Sequence, residues 1–141
     1  MARKPHKHRG SLQRLNYLFG QTAQQLGENN EKRVLSAFTN EYPWENRIPW
    51  IISVRRVTLE EEPRGIDVVF VTDVGEIHVQ VKSSRKSTEE FAREQESGRY
   101  SKDIICTWVS PSNDAMTICK IVTPKVTDKR LQILRRVHNR N

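Results

Sequence analysis

The residues best equipped for chemistry are Asp67, in Gly65-Ile66-Asp67, and Gln80 and Lys82, in Gln80-Val81-Lys82. Glu31 joins them from Gly27-Glu28-x-x-Glu31 upstream. A carboxylate, an amide oxygen and an ammonium together can hold a hard divalent cation beside a phosphate. Mg²⁺ prefers oxygen ligands, and at a phosphodiester a metal both activates a water and neutralises charge on the phosphate in flight. Asp67 can supply one ligand, Glu31 another, Gln80 a neutral carbonyl oxygen and Val81 its backbone carbonyl. Lys82 lies two positions after Gln80 and so shares its strand face. It can orient the attacking water, lower its pKa or hold the phosphate.

These groups need particular elements to bring them together. Ile66–Thr72 is a β-branched, strongly apolar run and predicts a central strand. Asp73-Val74-Gly75-Glu76 reads as a tight turn, and Ile77–Lys82 alternates apolar and polar residues with period two. Ile77, Val79 and Val81 then face one side, and His78, Gln80 and Lys82 the other. The hairpin sets Asp67 at the head of one strand and Gln80 and Lys82 on its partner. A helix from about Glu28 to Asn40 carries Val34, Leu35 and Phe38 on its inner face, with Glu31 one turn before Leu35.

Elsewhere, Ser11–Leu26 has apolar positions at helical spacing interrupted at Gly20, and residues 41–47 form a loop. Ile48–Leu59 reads as a strand, and Glu60–Gly65 as a connecting turn with its three glutamates solvated. Ser87 with Glu90 three residues later makes a capping box, starting a helix that runs to about Glu96. Asp103–Val109 and Ala115–Val122 read as strands. After Pro124, a helix from Thr127 to about His138 carries Leu131, Leu134 and Val137 on one side and positive charge on the other. The expected order is helix, three strands, helix, two strands, helix, an α/β sandwich around one mixed sheet. The expected organisation is a basic disordered tail over 1–10, a helical extension over 11–26, a core domain over 27–124 and a basic helix over 125–141.

The four-residue pattern resembles the PD-(D/E)xK, or restriction-endonuclease-like, nuclease superfamily. Its signature is a Glu on a helix, an Asp on a strand, and (Glu or Gln)-x-Lys on the partner strand. Glu31 lies four residues after Gly27, and Asp67 lies 13 before Gln80. These spacings are closest to the Holliday-junction resolvase-like branch. The resemblance spans about residues 27–122 and implies an αβββαβ core with a central mixed sheet. It implies Asp67 as the central metal ligand, Gln80 in place of the second acid, Lys82 as the catalytic lysine and Glu31 completing the metal shell. The implied cofactor is Mg²⁺, for which Mn²⁺ can substitute. The implied activity is endonucleolytic hydrolysis of DNA, at structured or branched sites, by a homodimer, with the Leu12–Leu26 helix as a candidate dimer contact. Two positions depart from the signature: Ile66 stands where its name has Pro, and Gln80 removes one negative charge. The alternative is therefore a catalytically inactive nucleic-acid-binding module on the same fold. A third reading is a basic scaffold whose motif matches are accidental, in which case the four residues lie far apart.

Charge and composition agree with a polyanionic partner. The chain has 141 residues and a net charge of +7, but residues 15–124 hold 13 basic and 16 acidic residues, a net −3. Eleven of the 24 basic residues lie in 1–14 and 125–141, where they can grip a polyanion. No apolar run approaches the roughly 20 residues of a membrane span, and the basic start of the chain lacks the apolar segment of a secretory signal. The expectation is a cytoplasmic protein with no membrane or small-molecule cofactor among its partners. Cys106 and Cys119 are expected as buried reduced thiols, and the pair His6 and His8 lacks further metal ligands nearby.

Further candidates for nucleic-acid contact are Ser83, Ser84, Arg85 and Lys86, which follow the Gln80–Lys82 strand, and Arg135 and Arg136 on the basic helix. His78 could meet substrate, as could Tyr100 beside Arg99. Trp44, Trp50 and Trp108 could stack on splayed bases, although packing is the expectation for all three, and core for Trp108.

Overall fold

A computed structural model describes residues 30–39 and 48–140. The basic tail of 1–10 with His6 and His8, the 11–26 extension, Gly27, Glu28 and the 41–47 loop with Trp44 lie outside the described residues. Helix α1 covers residues 30–39. Strand β1 (Ile51–Arg56), a 3-10 turn (Glu62–Arg64), β2 (Val68–Thr72), β3 (Gly75–Lys82), helix α2 (Arg85–Glu96), β4 (Ile105–Trp108) and helix α3 (Ala115–Arg140) follow.

Among the described residues the strands form one mixed sheet in the order β1-β2-β3-β4. The first three are antiparallel, with Val68 opposite Val79, and β3 and β4 are parallel, with Gln80 opposite Cys106 and Lys82 opposite Trp108. The alternation along β3 sends its odd and even side chains to opposite faces. On one face Val68, Phe70, Ile77, Val79 and Val81 pack with Val34, Ala37 and Phe38 of α1 and with Ile118, Cys119, Val122 and Val126 of α3. On the other face Ile66, Val69, Ile104 and Phe91 of α2 form a smaller core, with Cys106 against it. The described part of the protein is thus α/β, a four-stranded mixed sheet flanked by helices.

α1 is fastened at both ends of its inner face. Phe38 meets Phe70 edge-on at 5.0 Å between ring centroids, a favoured aromatic arrangement. Asn30, fully buried, donates to the Val109 carbonyl at 3.4 Å. Arg33 bonds the Asn30 side chain and the carbonyls of Ser110 and Asn113. These ties join α1 to the turn after β4 and fix where Glu31 stands.

Two readings of the sequence are corrected. Ala115–Val122 is not a strand, and the C-terminal helix does not start after Pro124. One helix runs from Ala115 to Arg140 with Pro124 inside it, so the expected boundary at 124/125 falls within α3. Asp114 starts the helix, its carboxylate accepting the Thr117 N–H at 2.8 Å. The buried positions Ile118, Cys119, Val122, Val126 and Lys129 then follow helical spacing. Pro124 removes one i→i−4 hydrogen bond, and the packed residues on either side carry the helix through. α2 also begins earlier than expected. Ser84, not Ser87, is its N-cap, and the Ser84 Oγ accepts the Ser87 N–H at 3.1 Å.

Candidate functional site

Gly65 takes a left-handed conformation, φ 81°, as the 3-10 turn ends, and so feeds Ile66 into the core and Asp67 to the head of β2. The Asp67 N–H donates to the Val79 carbonyl at 2.8 Å, and its Oδ2 accepts the Val81 N–H at 2.8 Å. The side chain thereby supplies the next rung of the β2–β3 ladder. A strand residue turns its N–H and C=O to the same edge, so the Val81 carbonyl is directed to the edge that Asp67 occupies.

Glu31 reaches the same place from α1. Its carboxyl hydrogen-bonds that of Asp67, and the two line a cleft of about 320 Å³ with Glu62, Arg56, Lys32 and Leu35. Lys82 lies on the α2 face, its Nζ 5.6 Å from the Phe91 ring centroid, and its charge acts on Asp67. α1 packs on the opposite face. Glu31 therefore meets Asp67 from the α1 face, while Lys82 lies on the α2 face and acts on Asp67 through its charge. Gln80 shares the Lys82 face and is buried.

Burial pushes the Asp67 carboxyl above its ordinary value. The Val81 amide, the Glu31 hydrogen bond and the Lys82 charge pull it down, the charge of Glu62 pushes it up, and the net direction is upward. Asp67, Glu31 and Glu62 thus bring carboxyl oxygens to one cleft, where a cation would offset the cost of burying the Asp67 charge and the repulsion from Glu62. The donor set is hard and oxygen-rich, as Mg²⁺ requires.

Glu60 and Glu62 are exposed, as expected, but Glu61 is not simply solvated. Glu62 lines the cleft. Glu61 is buried, and the Arg55 guanidinium meets both its carboxylate oxygens at 2.8 Å, which lowers its pKa to about 2. His78 lies 3.4 Å from Glu76. With Glu61 and Glu76 it brings three ligand-type atoms within 4.8 Å of one another, but Arg55 bonds both carboxylates and already supplies a positive charge there.

Of the other candidates, Ser83, Arg85 and Lys86 are exposed at the start of α2, with Arg85 3.5 Å from Glu89, while Ser84 serves as the cap. Arg135 is exposed, and Arg136 lies 3.3 Å from Asp103. Tyr100 stacks on Phe91 at 4.9 Å, and Arg99 sits over the Tyr100 ring. Trp50 lies under the Arg130 guanidinium. Trp108 is not core: it is 42% exposed. Neither cysteine forms a disulfide: Cys119 is buried and its thiol donates to the Ala37 carbonyl at 3.5 Å, and Cys106 is half-buried, its thiol pushed up by burial.

Glu62 and Arg56 in the cleft, and Asn30 and Arg33 behind it, carried no distinguishing signal in the sequence. Glu62 stood in a run of three acids and Asn30 beside another Asn. No helix of the described residues is long and apolar enough to cross a membrane. No family model, curated protein or solved structure matches the chain.

Proposed function

We propose that this protein is a metal-dependent endonuclease that hydrolyses DNA phosphodiester bonds on a restriction-endonuclease-like core. The observation that carries the reading is the meeting of Glu31 and Asp67 in one cleft, with Asp67 locked to Val81 and within the field of Lys82. The order helix, three strands, helix, strand also agrees with the resemblance. Asp67, Glu31, Gln80 and the Val81 carbonyl would hold Mg²⁺, or Mn²⁺ in its place. When bound, such an ion supplies charge neutralisation at the phosphate and an activated water.

The chain's own groups do the rest. The Val81 amide and the Glu31 hydrogen bond hold the Asp67 carboxylate in one orientation. Lys82 places a positive charge beside Asp67, where it positions the phosphate or the incoming water. Arg85, Lys86 and the exposed basic residues of α3, Arg135 among them, provide the sequence-independent grip on the backbone. Structured or branched DNA, cut by a homodimer, is the substrate class proposed.

The test is cleavage of supercoiled plasmid and of a four-way junction with Mg²⁺ or Mn²⁺. Asp67→Asn and Lys82→Ala are each expected to lower the rate by about 100-fold or more. The buried, neutral Gln80 favours a second reading, a module that binds without cutting. Wild-type protein that never cuts in either metal, yet binds DNA with a steep salt dependence, would replace the first reading by the second.

A further inference from the structure

A second groove, of about 490 Å³, runs along the outer edge of β4 between α2 and α3. Trp108 lines it, flanked by Arg85 and Thr88 of α2 and by Ile121 and Lys125 of α3. A tryptophan left 42% exposed between two cations forgoes much of the burial such a ring normally gains. Thr107 also lines the groove, and its fully buried Oγ1 has no hydrogen-bond partner among the described residues.

The groove adjoins the candidate site. Trp108 is the register partner of Lys82 on the neighbouring strand, so the two side chains stand on one face of the sheet. Cys106, two residues earlier on that face, feels the charge of both Lys82 and Lys125. Positive charge therefore continues from the Asp67 cleft across β3 and β4 into the groove. Glu89 is its counter-charge, 3.5 Å from Arg85, but both side chains are exposed and a phosphate can compete for the guanidinium.

We propose that this groove takes a single-stranded stretch of the nucleic acid, with one base stacked on Trp108 and the flanking phosphates on Arg85 and Lys125. An aromatic platform between cations suits a single strand, because every base has a stacking face and the backbone is a polyanion. The proposal deepens the nuclease reading and rests on it for direction: the strand leaves the groove toward Lys82. A substrate with an unpaired or splayed strand beside the cut follows from it.

The test measures binding of a fluorescently labelled oligothymidylate to the full chain by anisotropy, in EDTA so that no cutting intervenes. Trp108→Ala is expected to weaken binding about tenfold or more, while Trp108→Phe, which keeps a ring, stays within about threefold of wild type. Lys125→Ala should weaken binding and reduce the slope of log affinity against log salt by about one. Circular dichroism checks that each variant is folded, and the Phe and Lys125 variants carry the test if Trp108→Ala is not. Unchanged affinity in folded Trp108→Ala overturns the proposal. So does a dimer, seen by light scattering, that Trp108→Ala dissolves while oligonucleotide affinity stays intact, since the groove then belongs to a second copy. Trp108-dependent binding by a protein that never cuts upholds the groove and removes the nuclease reading. Mg²⁺-dependent cutting with Trp108-independent binding does the reverse.

Discussion

Gly65→Ala should unfold the approach to Asp67 from behind. Gly65 sits at φ 81°, and a Cβ there would lie 2.8 and 3.0 Å from two Tyr100 ring carbons and 3.2 Å from Phe91. The left-handed conformation alone costs an alanine about 1–2 kcal/mol. Carbon contacts are optimal at about 3.5–4.0 Å, so the Tyr100 ring has to shift. It cannot shift freely, because it stacks on Phe91, which is 2% exposed. Overpacking of this kind costs about 1–3 kcal/mol, and the lower conformational entropy of the unfolded alanine chain offsets about 0.4–1 kcal/mol of the loss. The net expectation is a loss of about 2–4 kcal/mol. Gly98→Ala is the control, since its φ is 88° but nothing lies within 4 Å of its Cβ; it should lose only the conformational part. Urea denaturation of both variants reads the difference, provided the m-value stays constant. In a Tyr100→Ala background, which removes the nearest clashing ring, Gly65→Ala should cost less than in wild type, closer to the conformational part. Equal losses in the Gly65 and Gly98 variants, or a Gly65→Ala loss below about 0.5 kcal/mol, would mean that Tyr100 and Phe91 do not close the space behind Gly65.

Three further outcomes are expected. Glu61, held at about pKa 2 by Arg55 against an ordinary 4.5, stabilises the fold above about pH 4.5, and that stability fades as pH falls toward 2. The full shift corresponds to about 3 kcal/mol, reduced to about 1–2 kcal/mol because Arg55 is one-third exposed; acid titration of urea stability should show this slope in wild type and lose it in Glu61→Gln. Asp67→Asn should stabilise the protein in EDTA at neutral pH, because the raised Asp67 pKa means that ionising the carboxyl weakens the fold as pH rises, and the Asn oxygen still accepts the Val81 N–H; thermal melts at pH 7 and below pH 3.5 should differ in this gain. Gln80→Glu should lower the metal-free melting temperature by adding a charge at a buried position, yet lower the Mg²⁺ concentration needed for half-maximal cleavage.

The hairpin from Ile66 to Lys82 was legible because its two strands carry the plainest patterns, an unbroken apolar run and a period-two alternation. Those patterns also told that Gln80 and Lys82 share a face. The Ala115–Val122 run misled for a physical reason: eight residues that include Thr117, Ile118, Ile121 and Val122 satisfy a buried strand as well as a helix. Asp114 decides between them by capping, and Val126 and Lys129 extend the inner face beyond Pro124. Ser84 and Ser87 were both able to cap α2, and no local rule ranks them. Trp108 was misplaced because β4 is an edge strand, and nothing within Ile105–Trp108 announces which of its neighbours leaves an edge open. The meeting of Glu31 with Asp67 depends on Phe38 against Phe70 and on Arg33 against Ser110 and Asn113, contacts between residues too distant in sequence for any periodicity to encode.

The position of the site at the end of β2 explains how a small fold holds such hostile groups together. In the middle of the sheet, α1 and α2 are separated by the sheet itself, and an acid on one could not touch a strand that bears a lysine on the other face. At the head of β2 the ladder is one rung short, and the Asp67 carboxylate fills the gap by accepting the Val81 N–H. That bond fixes the carboxylate at the head of β2, where Glu31 meets it from α1 while the charge of Lys82 acts on it from the α2 side. The same bond lowers a pKa that burial raises, so the residue that completes the sheet also keeps the acid closer to its charged form. Substitutions that spare the charge but lose the acceptor, and substitutions that spare the acceptor but lose the charge, therefore act on different things: the first on the end of the sheet, the second on the cleft.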